Sequence, residues 1–403
     1  MKLLLNSNTS FYLVNFRMGL IKACAEVGYD VYVLAPTDEF TKKFPSVVSF
    51  LPVHNLRRSS VNPLHDLRLY NEYLHLFRKV SPDIVMNFTI KPNVYGTIAA
   101  SRLRIPSISV ISGLGYAFMH NVLLKSVASS LYKFSLPRNE VVVFENNDDL
   151  NYFVSSGIVP PAKATLVNGA GVDTEFFRPP PTSMQFQSMK KNIFLFVGRL
   201  LWDKGLKELV EATKILKGQG LSFEVWLLGA IDPDNKSAVP EKTIRSWEES
   251  GLVKYLGWKD DVREVISMSS CVVLPSYREG IPRALLEAMA IGKPIIASNV
   301  PGCSNIIDDG VNGFLVPPRS VEGLACAMKR FLEISLDEKV RMGIKSRVMA
   351  EQKFAEKDIA EQYIKLLENV VIRSSRPVLE MNRVYNEQLI QEGETSDGTF
   401  KCI

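Results

Sequence analysis

The chain has 403 residues, 46% hydrophobic and 23% charged, a composition of globular proteins and a length that predicts two domains rather than one core. No run approaches the roughly 18 apolar residues of a membrane-spanning helix, and the apolar start Leu3 to Leu5 stops at Asn6, too early to be expected as a secretion signal. The net charge of +5 sits in residues 1–180, where 18 Lys and Arg face 13 Asp and Glu, and no dense basic stripe accompanies it, so no nucleic-acid partner is expected.

Strand and helix patterns alternate along the chain. Lys2 to Leu5 reads as a strand, Asn15 to Val27 as a helix, Tyr29 to Leu34 as a strand and Pro63 to Val80 as a helix. Asp83 to Met86, Ser107 to Ile111 and Glu140 to Phe144 are three more short strands. The stretch Asn121 to Leu136 sets Val122, Leu123, Leu124, Val127, Leu131, Tyr132 and Phe134 among Lys125 and Lys133. That pattern fits either a core helix or a basic amphipathic helix seated on a membrane surface. Arg178 and three prolines open a polar run to Lys191 that reads as an interdomain linker. A second alternation has strands at Ile193 to Val197, Phe223 to Leu228, Lys254 to Leu256, Cys271 and Ile295, then helical patterning from Val321 to about Val370. Such alternation predicts mainly parallel sheets covered on both faces, hence two α/β domains at 1–180 and 190–350. Residues 351–372 read as a closing helix, and 373–403 as a polar, disordered tail. Five cysteines at no metal-ligand spacing fit reduced thiols in the cytoplasm, and four scattered histidines speak against a histidine metal site.

Glu279, Gly280, Ile281 and Pro282 lead into a helical pattern that carries Glu287, eight positions after the first glutamate. Eight residues are a little over two turns, so both carboxylates are expected on one side of one helix, with Pro282 at its first position. Cys271 to Pro275 reads as a buried strand, which places the pair at the carboxyl edge of a parallel sheet, where open α/β folds bind ligands. Amides at the helix start suit an anion or a sugar hydroxyl, and Gly280 allows close approach. Taken alone, the spacing is equally compatible with two surface glutamates of no chemical role.

A second segment, Phe196 to Gly205, ends a strand at Gly198 and sets Arg199 and Lys204 at the start of the next helix. Two fixed cations beside a helix N-terminus form a candidate diphosphate site, Arg as a planar fork and Lys as a point charge; otherwise they are ordinary surface cations. The Walker pattern and a Gly-x-Gly-x-x-Gly turn after the first strand are both absent, which argues against a P-loop protein and a nicotinamide dehydrogenase.

With both segments in order and about 80 positions apart, the chain resembles the GT-B retaining glycosyltransferases of family 4, including bacterial enzymes that extend lipid-linked oligosaccharides. The second domain carries the likeness in Gly198-Arg199-Leu200, Lys204-Gly205, Glu279 to Glu287 running on to Ala290, Gly292-Lys293-Pro294, Asn299 to Cys303 and Asp309 to Val316. The first domain adds Phe88 to Pro92, Ser112 to Tyr116 and Asn168 to Asp173. The resemblance implies two Rossmann-like α/β/α domains facing a central cleft, with a C-terminal helix crossing back to the N-terminal domain. It implies retaining transfer of an N-acetylhexosamine or hexose from a nucleotide sugar, UDP-linked by the family's habit, to an undecaprenyl-diphosphate-linked saccharide in surface polysaccharide or glycan biosynthesis. The setting implied is cytoplasmic, peripheral at the inner face of the cytoplasmic membrane.

On that resemblance, Arg199 and Lys204 neutralise the departing diphosphate, so no metal and no cofactor are expected. Glu287 holds the ribose hydroxyls, while Glu279 and the amides of Gly280, Ile281 and Pro282 hold the donor sugar. Gly257 and Trp258 stand where the family places its nucleobase loop. Acceptor binding is expected from Arg17, Lys91, Gly113 and Gly115, with Lys91 a ligand for the acceptor pyrophosphate or else a solvated loop lysine. His120 is a candidate to contact donor or acceptor, or is a surface or core histidine. The chain departs from many relatives in having Asn6 to Phe11 where they carry two glycines, and Ser304-Asn305 where an Arg and an acid are expected. Two other classes compete with a transferase: a GT-B-like nucleotide-sugar epimerase, and a two-domain sugar-binding protein of the periplasmic type, against which the absence of a signal segment counts.

Overall fold

Strands buried on both faces dominate the computed structural model, which describes residues 1–57, 60, 62–114, 122–181, 190–233, 235 and 237–373. The first sheet contains β1 (Lys2–Asn6), β2 (Asp30–Ala35), β3 (Val48–Pro52), β4 (Ile84–Phe88), β5 (Ser107–Ile111), β6 (Val141–Phe144) and β7 (Ala164–Leu166), in the order β3-β2-β1-β4-β5-β6-β7. The second contains β8 (Ile193–Val197), β9 (Glu224–Leu228), β10 (Lys254–Tyr255), β11 (Cys271–Leu274), β12 (Ile295–Ser298) and β13 (Gly313–Val316), in the order β10-β9-β8-β11-β12-β13. Both sheets are parallel; β1, for example, pairs Leu3 with Ile84 of β4 on one side and with Val31 of β2 on the other. β4, β5, β6 and β8 are buried along their whole length, as parallel strands between two helical layers must be.

Alternation along a strand divides the first core. Leu3 and Leu5 of β1 join Val31, Val33, Ile84 and Met86 on one face, while Leu4 joins Leu34, Leu69, Tyr73, Phe77 and Val85 on the other. The second domain has one large cluster around β8, β11 and β12, which also takes in Val172, Phe177 and Phe354. The helical patterning after Val321 resolves into helices Val321–Glu333 and Leu336–Lys353 and a third over residues 356–373. Ser335 and Glu338 form a capping box that starts the second of these. The third leaves the second domain: the Val172 amide donates to the Phe354 carbonyl at 2.8 Å, and the Glu356 amide to the Val172 carbonyl at 2.9 Å. Beyond that crossing Ile359, Ala360, Tyr363, Leu367 and Val370 are buried in the first domain's core. At about 1.5–3 kcal/mol for each large aliphatic side chain, this strap binds the last helix to the first domain.

Several elements differ from the expected ones. The helix foreseen over Asn15 to Val27 is two helices, Ser10–Phe16 and Met18–Glu26, parted at Arg17, whose φ of −134° is not helical. Thr9 caps the first by accepting from the Tyr12 amide. Strands β3, β7 and β13 were not foreseen; β3 and β7 are partly exposed edge strands with a weak apolar period. The linker residues 182–189 and the tail from 374 onward lie outside the described residues. Strand order reverses between β1 and β4 in the first sheet and between β8 and β11 in the second. Open parallel sheets bind ligands at the carboxyl ends of such switch points.

Candidate active site between the two domains

At the second switch point, two chain segments leave β8 and β11 and are stapled together. After Val197 the chain turns through Gly198 and Arg199 into a short helical turn, Trp202–Lys204, and Gly205 at φ +73° starts helix Leu206–Gly218. A methyl on Gly205 would collide with the Pro275 carbonyl, so the residue after Lys204 must be glycine for the β11 exit to pass this close. The Tyr277 amide donates to the Asp203 carbonyl at 2.9 Å, and its hydroxyl donates to both Glu208 oxygens at 2.8 and 3.0 Å. Burial, with the Glu208 carboxylate beside it, pushes the Tyr277 hydroxyl up to about 12, so it stays a donor at neutral pH. Two residues on, Glu279 Oε1 accepts from Lys204 Nζ at 2.5 Å, with side chains 11% and 22% exposed. The staple therefore holds a carboxylate and a cation side by side on the sheet edge.

The helix after Glu279 is shorter than the sequence implied. It spans Arg283–Ala290, with Pro282 as its N-cap and no side chain capping it. Glu279 to Ile281 are irregular, because a residue before proline is driven out of the helical region. The two glutamates consequently do not lie two turns apart on one helix. Glu287 is held from its own helix instead, Oε1 accepting from Arg283 Nε at 2.8 Å. Burial raises its pKa against the pull of Arg283. Arg199 stands on the rim, 43% exposed, with Nη1 donating to Asp232 Oδ2 at 3.0 Å. The Gly257 carbonyl accepts from the Gly229 amide at 2.8 Å, and Trp258 beside it is 51% exposed, so its ring is not core packing. Asp260, two residues further, meets Lys43 of the first domain at 2.9 Å.

The first domain closes over the loop that follows Glu279. A methyl on Gly280 would collide with the Ser112 carbonyl and lie 3.7 Å from Glu145 Oε2; one on Gly113 would lie 3.5 Å from Gly280 Cα. Behind this contact Arg17 and Glu145 form an ion pair, 2% and 5% exposed, and Arg17 also donates to the Tyr12 hydroxyl at 2.9 Å. Arg17, expected to bind acceptor, is thus walled in by Glu145, Tyr12, Phe88 and Tyr363, with its guanidinium committed inside its own domain. Lys91 likewise is committed: Nζ donates to Asp66 Oδ1 at 2.6 Å, both side chains are 14% exposed, and Tyr95 donates to the other Asp66 oxygen at 2.8 Å. It is not the solvated loop lysine, nor a cation free to meet a pyrophosphate without displacing Asp66. Gly115 and His120 lie outside the described residues.

Sequence reasoning brought Lys204, Glu279, Gly280 and Gly113 to the place where the structure joins them, and Arg199, Gly257 and Trp258 to its rim. It missed Asp149, whose carboxylate, fully buried, accepts from Arg278 across the domain boundary. It also missed Glu145 and Tyr277. The signal available was an acidic cluster, Glu145, Asp148 and Asp149, directly after a fully apolar strand, a position that faces the sheet's ligand edge.

Residues 2–146 match the family model described as glycosyl transferase 4-like, and residues 183–369 the model for glycosyl transferases group 1. Over 379 residues the chain is 28% identical to the N,N'-diacetylbacillosaminyl-diphospho-undecaprenol alpha-1,3-N-acetylgalactosaminyltransferase of Campylobacter jejuni, covering 91% of this chain and 98% of that protein. It is 26% identical over 280 residues to the UDP-Gal:alpha-D-GlcNAc-diphosphoundecaprenol alpha-1,3-galactosyltransferase of Escherichia coli, covering 67% and 72%. The crystal structure of Anabaena HepE in complex with UDP-glucose superimposes with a TM-score of 0.75 at 20% identity, over 92% of this chain and 100% of that one. One model falls on each sheet domain and a solved structure follows both, so the chain belongs to the GT-B glycosyltransferases of the family 4 type and is a sugar-transferring enzyme.

Proposed function

We propose that the protein transfers a hexose or N-acetylhexosamine, with retention at the anomeric carbon, from a UDP-linked donor to an undecaprenyl-diphosphate-linked saccharide during assembly of a surface glycan. The Lys204–Glu279 pair carries the reading, because it offers together the two things a nucleotide sugar needs: a cation for the leaving diphosphate and a carboxylate for sugar hydroxyls. Negative charge grows on the diphosphate as the glycosidic bond breaks, and a preplaced cation acts where that charge appears. Arg199 adds a second cation on the rim, Glu279 would accept hydrogen bonds from the donor sugar, and Glu287 from the ribose. With those cations in place, turnover is proposed to need neither a bound metal nor a cofactor. The lipid-linked acceptor and the UDP donor are supported by what the names of the Campylobacter jejuni and Escherichia coli relatives describe for those proteins. The nucleotide-sugar epimerase finds no support, since both family models and both relatives are transferases.

Attachment to the inner face of the membrane belongs to the same proposal. Among the described residues no helix is long and apolar enough to cross a bilayer. Helix Val122–Ser135 nevertheless leaves Val127 and Phe134 more than half exposed, and the Arg138 guanidinium lies 3.8 Å from the Phe134 ring centre. Apolar side chains beside cations on a surface helix suit a lipid headgroup layer. The test is to incubate the purified protein with a panel of UDP- and GDP-sugars and a polyprenyl-diphosphate disaccharide, and to weigh the products. A lipid product heavier by one sugar is expected with a UDP donor. Epimerised donor without acceptor, or addition only to a soluble glycan, would overturn the reading.

A further inference from the structure

The loop bearing Glu279 is anchored to both domains by consecutive residues. Tyr277 fastens it to its own domain through Asp203 and Glu208. Arg278, the next residue and 26% exposed, reaches across the boundary and donates from Nη2 to Asp149 Oδ1 of the first domain. Asp149 is fully buried in the first turn of helix Asn147–Ser155, and the first domain aims it. Its amide donates to Asn146 Oδ1 at 2.8 Å, and Asn146 Nδ2 donates to its other carboxylate oxygen at 3.0 Å. One oxygen is therefore held at home and the other is presented to Arg278. Glu145, four residues earlier, is balanced by Arg17 of its own domain, whereas Asp149 is paired with Arg278 of the other domain.

We propose that Arg278 and Asp149 form an interdomain latch that sets Glu279 for transfer, which makes Arg278 a positioning residue. The proposal rests on the reading of Glu279 as the donor-sugar carboxylate. When the domains separate, a buried carboxylate loses its counter-charge, an unfavourable state that their approach relieves. The same approach draws the backbone after Arg278 against Ser112 and Gly113, so the first domain adds a second hold on Glu279, which Tyr277 already keeps beside Lys204. Nucleotide binding, carried by Arg199 and Lys204 within the second domain, does not depend on the latch. Its loss is felt in turnover rather than in UDP affinity.

The test uses the full chain with a UDP-sugar and a polyprenyl-diphosphate saccharide. Arg278→Gln and Asp149→Asn should each lower kcat by about tenfold or more, as displacement of a reacting group by a fraction of an ångström does. UDP affinity measured by calorimetry should stay within about twofold, and Arg278→Lys should recover part of kcat because it keeps the charge. The double variant should lose no more than either single one, because both break one contact. It leaves no unpaired buried charge, so it carries the test if Arg278→Gln alone fails to fold. Unchanged kcat in the folded variants, losses that multiply in the double, or UDP affinity falling in step with kcat would each overturn the latch. Glu279→Gln separates the two levels. If it transfers sugar normally, the donor-site reading fails; if it is inactive while the latch variants turn over normally, only the latch fails.

Discussion

Replacing Lys204 by Met removes the cation while keeping most of the side chain's bulk. Lys204 and Glu279 are 22% and 11% exposed, an environment between bulk water and a dry core. At an effective dielectric of about 20, two unit charges about 4 Å apart interact by about 4 kcal/mol. Removing one preorganised donor from a developing anion lowers kcat by about 10²- to 10³-fold. The lower end is expected here, because Lys204 must give up part of its attraction to Glu279 before it serves the diphosphate. Lys204→Met should therefore reduce kcat by about 100-fold and UDP affinity by about tenfold, or about 1.4 kcal/mol. The variant also leaves Glu279 unpaired beside the incoming diphosphate, so adding Glu279→Gln should recover part of the UDP affinity without restoring turnover. Calorimetric titration with UDP and initial rates with a saturating lipid acceptor measure both quantities. Unchanged UDP affinity together with unchanged kcat in Lys204→Met would refute the diphosphate assignment.

Other outcomes follow from the same contacts. Glu279→Ala should abolish transfer in the product assay and leave UDP affinity mostly intact, as the proposed role of that carboxylate toward the donor sugar requires. Arg199→Ala should weaken UDP binding less than Lys204→Met does, because Arg199 is 43% exposed and already shared with Asp232; equal or greater weakening by calorimetry would reverse that ranking. Gly280→Ala drives a methyl into the Ser112 carbonyl, so it should cut kcat at least about tenfold with little change in the thermal midpoint of the isolated protein. Lys293 is fully buried, donates to the Ser267 and Ser269 carbonyls at 2.8 Å, and is pushed by burial from 10.5 down to about 7. Between those pH values the unfolded chain keeps a proton that the folded protein has released, so this group makes stability rise with pH. Urea unfolding at about pH 7 and about pH 10 should show wild type gaining relative to Lys293→Met, and a constant difference would exclude the effect.

How far the sequence could be read depended on whether a feature was local. Apolar strands buried on both faces leave a continuous signal, which is why β1, β4, β5, β6, β8 and β11 were legible within a residue or two. Edge strands β3 and β7 bury little and left none. The cations after β8 and the carboxylate after β11 were legible because a strand end, a glycine and a charged residue lie close together in the chain. Their pairing was not, since Lys204 and Glu279 meet only when β8 and β11 are neighbours. The partner of Arg17 was hidden for the same reason: a basic residue between two short helices shows no counter-charge in the chain until Glu145, 128 positions away, is folded against it. Lys91 repeats the lesson with Asp66.

Both sheets reverse their strand order beside their first strand, and the segment that leaves β11 at the second reversal meets Ser112 and Gly113 of the first domain, just past β5. In the second domain that edge holds opposite charges already paired, ready to exchange partners with a ligand that brings both an anion and hydroxyls. At the facing edge of the first domain, buried charges are likewise balanced, Arg17 by Glu145 and Lys91 by Asp66, while Asp149 is matched from across the boundary. A site built from paired charges can admit an ionic substrate without leaving a bare charge when empty. Selectivity for the closed, loaded state then resides in contacts that exist only between domains. Two of them, Arg278 with Asp149 and Gly280 against Ser112, flank Glu279, so the residue proposed to hold the donor sugar and those proposed to register closure are chain neighbours. A mutation in the stretch Arg278 to Gly280 should therefore separate binding from turnover, whereas one at Arg199 or Lys204 should weaken both.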